Sequence, residues 1–120
     1  MSKSDACQHL ENFKTGHLLW EWRVYNTILG FEKLTVDQVE GYSECRLSEW
    51  ITSDEGQKYA SLPAFKRLEI PHRQLHDLAR EAIRTYEQGN LNKTEELLKQ
   101  MTTTSREVVS ILSQLQAELN

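Results

Sequence analysis

His72-Arg73-Gln74-Leu75-His76 places two imidazoles four residues apart inside a long helical pattern. On an α-helix that interval stacks both side chains on one face, one turn apart, so that a single element can offer two ligands to one metal ion. Two further residues with ligand chemistry, His17 and Cys45, stand where other helical segments could bring them near. Together the four make a candidate His3Cys set, and that set suits zinc. The plainer reading of the pair is two partly exposed polar side chains on a soluble helix. Periodicity weighs against it: Phe65, Leu68, Leu75, Ala79, Ala82 and Tyr86 form an apolar stripe, His72 falls on the stripe, and His76 lies one turn beyond it. A core imidazole needs a partner, because burying it alone is costly, and either a carboxylate or a metal will serve.

The elements that must position these residues read as helices. Residues 4–29 contain no proline, with Ser4 as the expected N-cap, and carry the stripe Leu10, Phe13, His17, Trp20, Val24, Thr27, Phe31, which puts His17 at a core position. A second stripe, Leu18, Trp22, Tyr25, Leu29, lies on a neighbouring face. That breadth of apolar surface fits either self-association or a wide core face. Gly30 ends the helix, and residues 30–42 are the least regular part of the chain, with a short turn of helix expected from Thr35 and a break at Gly41. A short helix follows Cys45, with Leu47, Trp50 and Ile51 as its apolar face; Ser53 or Asp54 caps the next turn, and Pro63 fits the first turn of the helix that carries Phe65. Pro71 removes one backbone hydrogen bond, at a cost of about 3 kcal/mol, so a kink or a restart is expected just before His72. Gly89 suits the end of that helix, and Asn92 to Glu95 reads as a capping box for the last one. The final stripe is Leu91, Thr94, Leu98, Met101, Ser105, Val108, Leu112, Leu115, Leu119, widened by Leu97, Val109 and Ile111. Without a strand signal of comparable quality, the fold expected is an all-α, up-down helical bundle resembling a four-helix bundle, with a short helix carrying the cysteine.

At 120 residues the chain is expected to form a single domain spanning residues 1–120, large enough to bury a core without relying on disulfides. Its net charge of −4 and lack of basic clusters leave no electrostatic footprint for nucleic acid. No apolar run reaches the length of a membrane span or of a signal-peptide core, so a cytoplasmic protein that does not enter the membrane is expected, and Met1 reads as a natural start. The two cysteines, Cys7 and Cys45, are too few for a secreted disulfide scaffold, which leaves each to be judged as thiol or ligand. Cys7 and His9 form a separate Cys-x-His that reads as an ordinary helix start.

His17-Leu-Leu-Trp20, Cys45-Arg-Leu-Ser-Glu-Trp50, Leu62-Pro-Ala-Phe65 leading into His72 and His76, and Ser105-Arg-Glu-Val-Val-Ser-Ile-Leu112 occur in an order that resembles the chemoreceptor zinc-binding domain, a bacterial cytoplasmic domain found on chemotaxis receptors, on some diguanylate cyclases and as a stand-alone protein. The similarity spans nearly the whole chain. Within it, Ser48 replaces the glycine usual in Cys-x-Leu-Gly-x-Trp. The resemblance implies a helical bundle, paired as a homodimer, with one zinc per subunit held by three histidines and one cysteine.

Four protein ligands leave a tetrahedral zinc no open position for substrate water, so the site is expected to hold or sense metal and the protein not to be an enzyme. Bound zinc keeps a thiolate deprotonated, which makes Cys45 the candidate switch, answering to zinc or to oxidants such as hypochlorous acid. The stimulus classes come from the resemblance. Glu21, Glu69 and Asp77 are candidates to orient the histidines. A sensor of this kind acts through a partner, such as a receptor, a diguanylate cyclase or a kinase pathway. Two other classes remain: a hemerythrin-like bundle binding iron or oxygen, and a structural dimerisation module stiffened by zinc.

Overall fold

The computed structural model describes residues 3–119. Three long helices, α1 (Lys3–Leu29), α4 (Pro63–Glu87) and α5 (Leu91–Leu119), form the body, and two short helices, α2 (Arg46–Thr52) and α3 (Asp54–Gln57), lie between α1 and α4 in the chain. Two 3₁₀ turns, Val36–Gln38 and Tyr42–Glu44, occupy the segment between α1 and α2. No strand occurs among the described residues, and the expected all-α bundle is what the chain forms. It is elongated, 47 × 20 × 19 Å.

The frame is the antiparallel hairpin of α4 and α5, which pack along most of their length. Its core is the face foreseen from the periodicity: Leu68, Leu75, Ala79 and Ile83 of α4 meet Met101, Val108, Leu112 and Leu115 of α5, all fully or almost fully buried. The turn closes because Gly89, at φ +76°, adopts a left-handed conformation, and its amide and that of Asn90 return to the carbonyls of Tyr86 and Thr85. Gly30, at φ +91°, ends α1 with the same double return to Thr27 and Asn26. Across the hairpin turn, the Thr85 and Thr94 hydroxyls share a 2.7 Å hydrogen bond.

Four local expectations change. Ser4 lies inside α1, which begins at Lys3. The side chain of Asn90, two residues earlier than expected, caps α5 through the amide of Lys93, while Thr94 turns into the core. Pro71 sits within an uninterrupted α4 and is buried, so the ligand pair belongs to the same helix as Phe65. Leu91 and Phe31, expected on core stripes, are 62% and 79% exposed because both lie just past a chain turn.

The short helices are fixed by aromatic packing. Trp50 of α2 has its ring 6.1 Å from Phe13 of α1 and 6.5 Å from Phe65 of α4, which ties α2 to both long helices. Ser53 caps α3 by accepting from the amide of Gly56, as its position suggested. A Cβ built at Gly56 would lie 2.0 Å from the Trp50 carbonyl oxygen, so only glycine lets α3 fold back against α2. Gly56→Ala is therefore expected to displace α2 and destabilise the protein by about 1–3 kcal/mol, the usual range for overpacking, as measured by urea denaturation. A variant as stable as the parent would contradict the close approach.

Candidate metal centre

His17 reaches the centre of the molecule from the middle of α1, His72 and His76 from successive turns of α4, and Cys45 from the residue that caps α2. Cys45 thus precedes the short helix rather than riding on it, and its sulfur turns inward where the chain passes from a 3₁₀ turn into α2. All four are buried, with exposures of 6% for His17, 4% for Cys45, 0% for His72 and 1% for His76.

Their donor atoms converge. His72 Nε2 lies 3.1 Å from His17 Nε2 and 3.2 Å from His76 Nε2, Cys45 Sγ lies 3.5 Å from His17 Nε2, and all four atoms fall within 4.8 Å of one another. A tetrahedral zinc, with nitrogen at about 2.0–2.1 Å and sulfur at about 2.3 Å, separates two nitrogens by about 3.3 Å and a nitrogen from the sulfur by about 3.5 Å. The spacing already present is close to that of a zinc coordination shell.

Protons make the fit sharper. His17 Nδ1 and His76 Nδ1 each lie 2.8 Å from a backbone carbonyl oxygen, that of Phe13 and that of Glu40 respectively. A carbonyl only accepts, so both Nδ1 atoms carry hydrogen and both neutral rings present an Nε2 lone pair to His72. His72 Nδ1 is buried with no hydrogen-bond partner. A proton on His72 Nε2 can serve only one of the two facing lone pairs; a proton on its Nδ1 leaves three lone pairs together and a buried N–H unpaired. A cation at the convergence point would take up all three Nε2 lone pairs, with the His72 proton on Nδ1, and so relieve their crowding. Three imidazoles and one thiolate are the ligand chemistry that zinc accepts, so the residues present fit that ion.

Burial sets the charge states. It pushes His72 down to about 2 and His76 down to about 4, and it lowers His17 against the opposing pull of the Phe13 carbonyl. The Cys45 thiol is pushed up to about 11, first by burial, with the amides of Leu47 and Ser48 acting in the opposite direction. The neighbouring Glu40 carboxyl, which hydrogen-bonds the Cys45 side chain, is itself raised by burial. Without metal the centre therefore holds neutral imidazoles and a protonated thiol.

Aromatic side chains wall the site. The Trp20 ring lies 4.8 Å from His76, and the Tyr42 ring lies 4.8 Å from His72, with the Arg73 guanidinium over the Tyr42 ring at 4.1 Å from its centroid. A groove of about 770 Å³ reaches Cys45 and His17 between Phe13, Trp20 and Trp50.

None of the three acidic candidates orients a histidine. Glu21 is buried against α5, where it accepts from the Ser105 hydroxyl; Glu69 pairs with Arg73 on the surface; Asp77 is exposed. Backbone carbonyls orient His17 and His76 instead. The Phe13 carbonyl was within reach of inference, being four residues before His17 in one helix, whereas the Glu40 carbonyl comes from an irregular segment and carries no side-chain signature. Cys7 and His9 stand apart from the cluster: the Cys7 thiol reaches the Gln116 carbonyl, and His9 stacks on Phe13. Ser48 is buried in ordinary helical backbone, so the main chain there does not require a glycine.

With the histidines neutral and the thiol protonated at neutral pH, zinc loading is expected to release about one proton per ion, drawn from Cys45. Titration calorimetry at about pH 7.5 in buffers of different ionisation enthalpy measures that number. Cys45→Ala should release almost none, and a parent protein that releases none would mean the thiol takes no part.

The sequence model of the chemoreceptor zinc-binding domain matches residues 17–83, which include all four clustered residues. Comparison with curated proteins and with solved structures gives no match. A match over more than half of the chain, together with a buried His3Cys group able to hold one metal ion, establishes that the chain belongs to the chemoreceptor zinc-binding domain family of zinc-binding signalling domains.

Proposed function

We propose that residues 1–120 act as one sensor domain in which His17, Cys45, His72 and His76 hold a single zinc ion and Cys45 is the ligand through which the state of the site is changed. The observation that carries this reading is the convergence of three imidazole Nε2 atoms on a buried thiol, two of them with Nδ1 already committed to backbone carbonyls. Zinc bound there supplies positive charge that holds the Cys45 sulfur as a thiolate. A shell complete with four protein ligands has no position for substrate water, which favours sensing over hydrolysis.

The ligands are unequally held. His17, His72 and His76 sit on two of the three long helices, α1 and α4, whose displacement would open the core, while Cys45 lies between a 3₁₀ turn and a seven-residue helix. The groove leading to Cys45 gives a small oxidant access. Oxidation of the thiolate to a sulfenic acid transfers two electrons from sulfur to the oxidant and adds one oxygen to sulfur; with hypochlorous acid the other product is chloride. The weakened ligand then frees residues 41–53 to move while the three histidines keep their places. A hemerythrin-like di-iron centre is disfavoured because the cluster contains no carboxylate to bridge two metals.

The output is proposed to pass to a chemotaxis receptor, a diguanylate cyclase or a kinase pathway, in the cytoplasm, through a homodimer. Support for pairing comes from α1, where Leu18, Trp22 and Leu29 are 51%, 62% and 68% exposed on one face. No helix among the described residues is long and apolar enough to cross a membrane.

Cys45→Ser should keep the helical content, bind zinc more weakly and lose the response to hypochlorous acid, as followed by circular dichroism and a chromogenic zinc indicator. A serine variant that still releases zinc on oxidation would place the switch elsewhere. Trp22→Glu should convert a dimer to a monomer in light scattering, and an unchanged mass would remove this face of α1 from the interface.

A further inference from the structure

Residues 36–44 must bring Cys45 to the histidines, yet they contain only two single 3₁₀ turns. Their backbone is tied to one helix at three points. Val36 N–H donates to Glu87 Oε1 at 3.1 Å, the Val39 carbonyl accepts from Arg80 Nε at 3.0 Å, and the Glu40 carbonyl accepts from His76 Nδ1 at 2.8 Å. The last two ties are four residues apart on α4, continuing the face that carries His72 and His76.

Arg80 makes the central tie. Its guanidinium grips a carbonyl next to the one that orients His76, and its Nη2 extends to Glu44 Oε1 at 3.4 Å, the residue immediately before Cys45. Val39, whose carbonyl it holds, is buried, so the tie fixes an anchored point of the segment rather than a loop tip. Gly41 leaves room for it: a Cβ there would lie 3.0 Å from Arg80 Nη2 and 3.1 Å from Cζ.

We infer that Arg80 is a positioning residue for the metal centre, pinning residues 36–44 to α4 so that the Glu40 carbonyl meets His76 and the Cys45 sulfur meets the imidazoles. This rests on the four-residue zinc site proposed above. The guanidinium touches neither donor atoms nor metal; it acts through the backbone on which one ligand and the orienting group of another depend. Arg80 is half-exposed and outside the apolar core, so its replacement leaves the α4–α5 hairpin intact.

The test compares Arg80→Met, Arg80→Lys, Gly41→Ala and the Arg80→Met/Gly41→Ala double variant by zinc affinity, measured in competition with a chromogenic chelator, and by hydrogen exchange of the metal-free proteins. Arg80→Met should weaken zinc binding about tenfold, at the lower end of the effect of groups that orient metal ligands, and speed exchange in residues 36–45 while α4 and α5 exchange as before. Arg80→Lys, which keeps one donor for the Val39 carbonyl, should recover most of the affinity. Gly41→Ala should weaken binding by pushing on the guanidinium and on Glu44 Oε1, and should have a smaller effect once Arg80 is methionine. Affinity within twofold of the parent in Arg80→Met, or exchange that rises equally across α4 and α5, would overturn the positioning role while leaving the zinc site standing. A parent protein that binds no zinc would instead overturn the site itself, and the role of Arg80 with it.

Discussion

Everything in this protein turns on three neutral imidazoles whose Nε2 atoms are pressed together in a buried interior. Two of the rings have their Nδ1 hydrogen committed to the carbonyls of Phe13 and Glu40, so they cannot turn or exchange tautomers to relieve the crowding. A buried polar group without a partner costs about 1–3 kcal/mol, and here several face one another. Such a cluster persists only where the surrounding fold holds it in place, and it gives the interior the donor set of a cation site.

The fold divides that holding between strong and weak parts. The α4–α5 hairpin, with a continuous apolar seam, supplies two donors on one rigid helix, and α1 brings a third through a face that is apolar on either side of His17. The fourth donor comes from irregular chain, tied to α4 by hydrogen bonds and to the aromatic cluster by Trp50. Rigid histidines beside a lightly held thiol give a centre in which one ligand can be altered without dismantling the core. This asymmetry is what the switch proposed at Cys45 would draw on.

How much of this was legible depended on whether the information lay in side chains or in backbone. The apolar stripes of α4 and α5 set out the hairpin because helical periodicity is a property of side-chain order, and His17 and His72 announced their burial by falling on stripes. His76, one turn off its stripe, is buried as well, because Trp20 and Tyr42 cover it from outside α4. Glu21, Glu69 and Asp77 stand near the histidines in sequence, but the orienting acceptors are carbonyls, which every residue possesses and no sequence marks. The path of residues 31–45 was illegible for the same reason: it is fixed by Arg80, Glu87 and His76 reaching main-chain atoms. Pro71 gave a misleading signal, since the surrounding apolar face sustains α4 through the missing hydrogen bond.

Zinc K-edge X-ray absorption on the protein purified without added metal tests the central claim most directly. A shell of three nitrogens at about 2.0–2.1 Å and one sulfur at about 2.3 Å, with the sulfur lost in Cys45→Ala, is the result expected of His17, Cys45, His72 and His76. A shell of nitrogen and oxygen alone, or a folded protein that takes up no zinc, would contradict it.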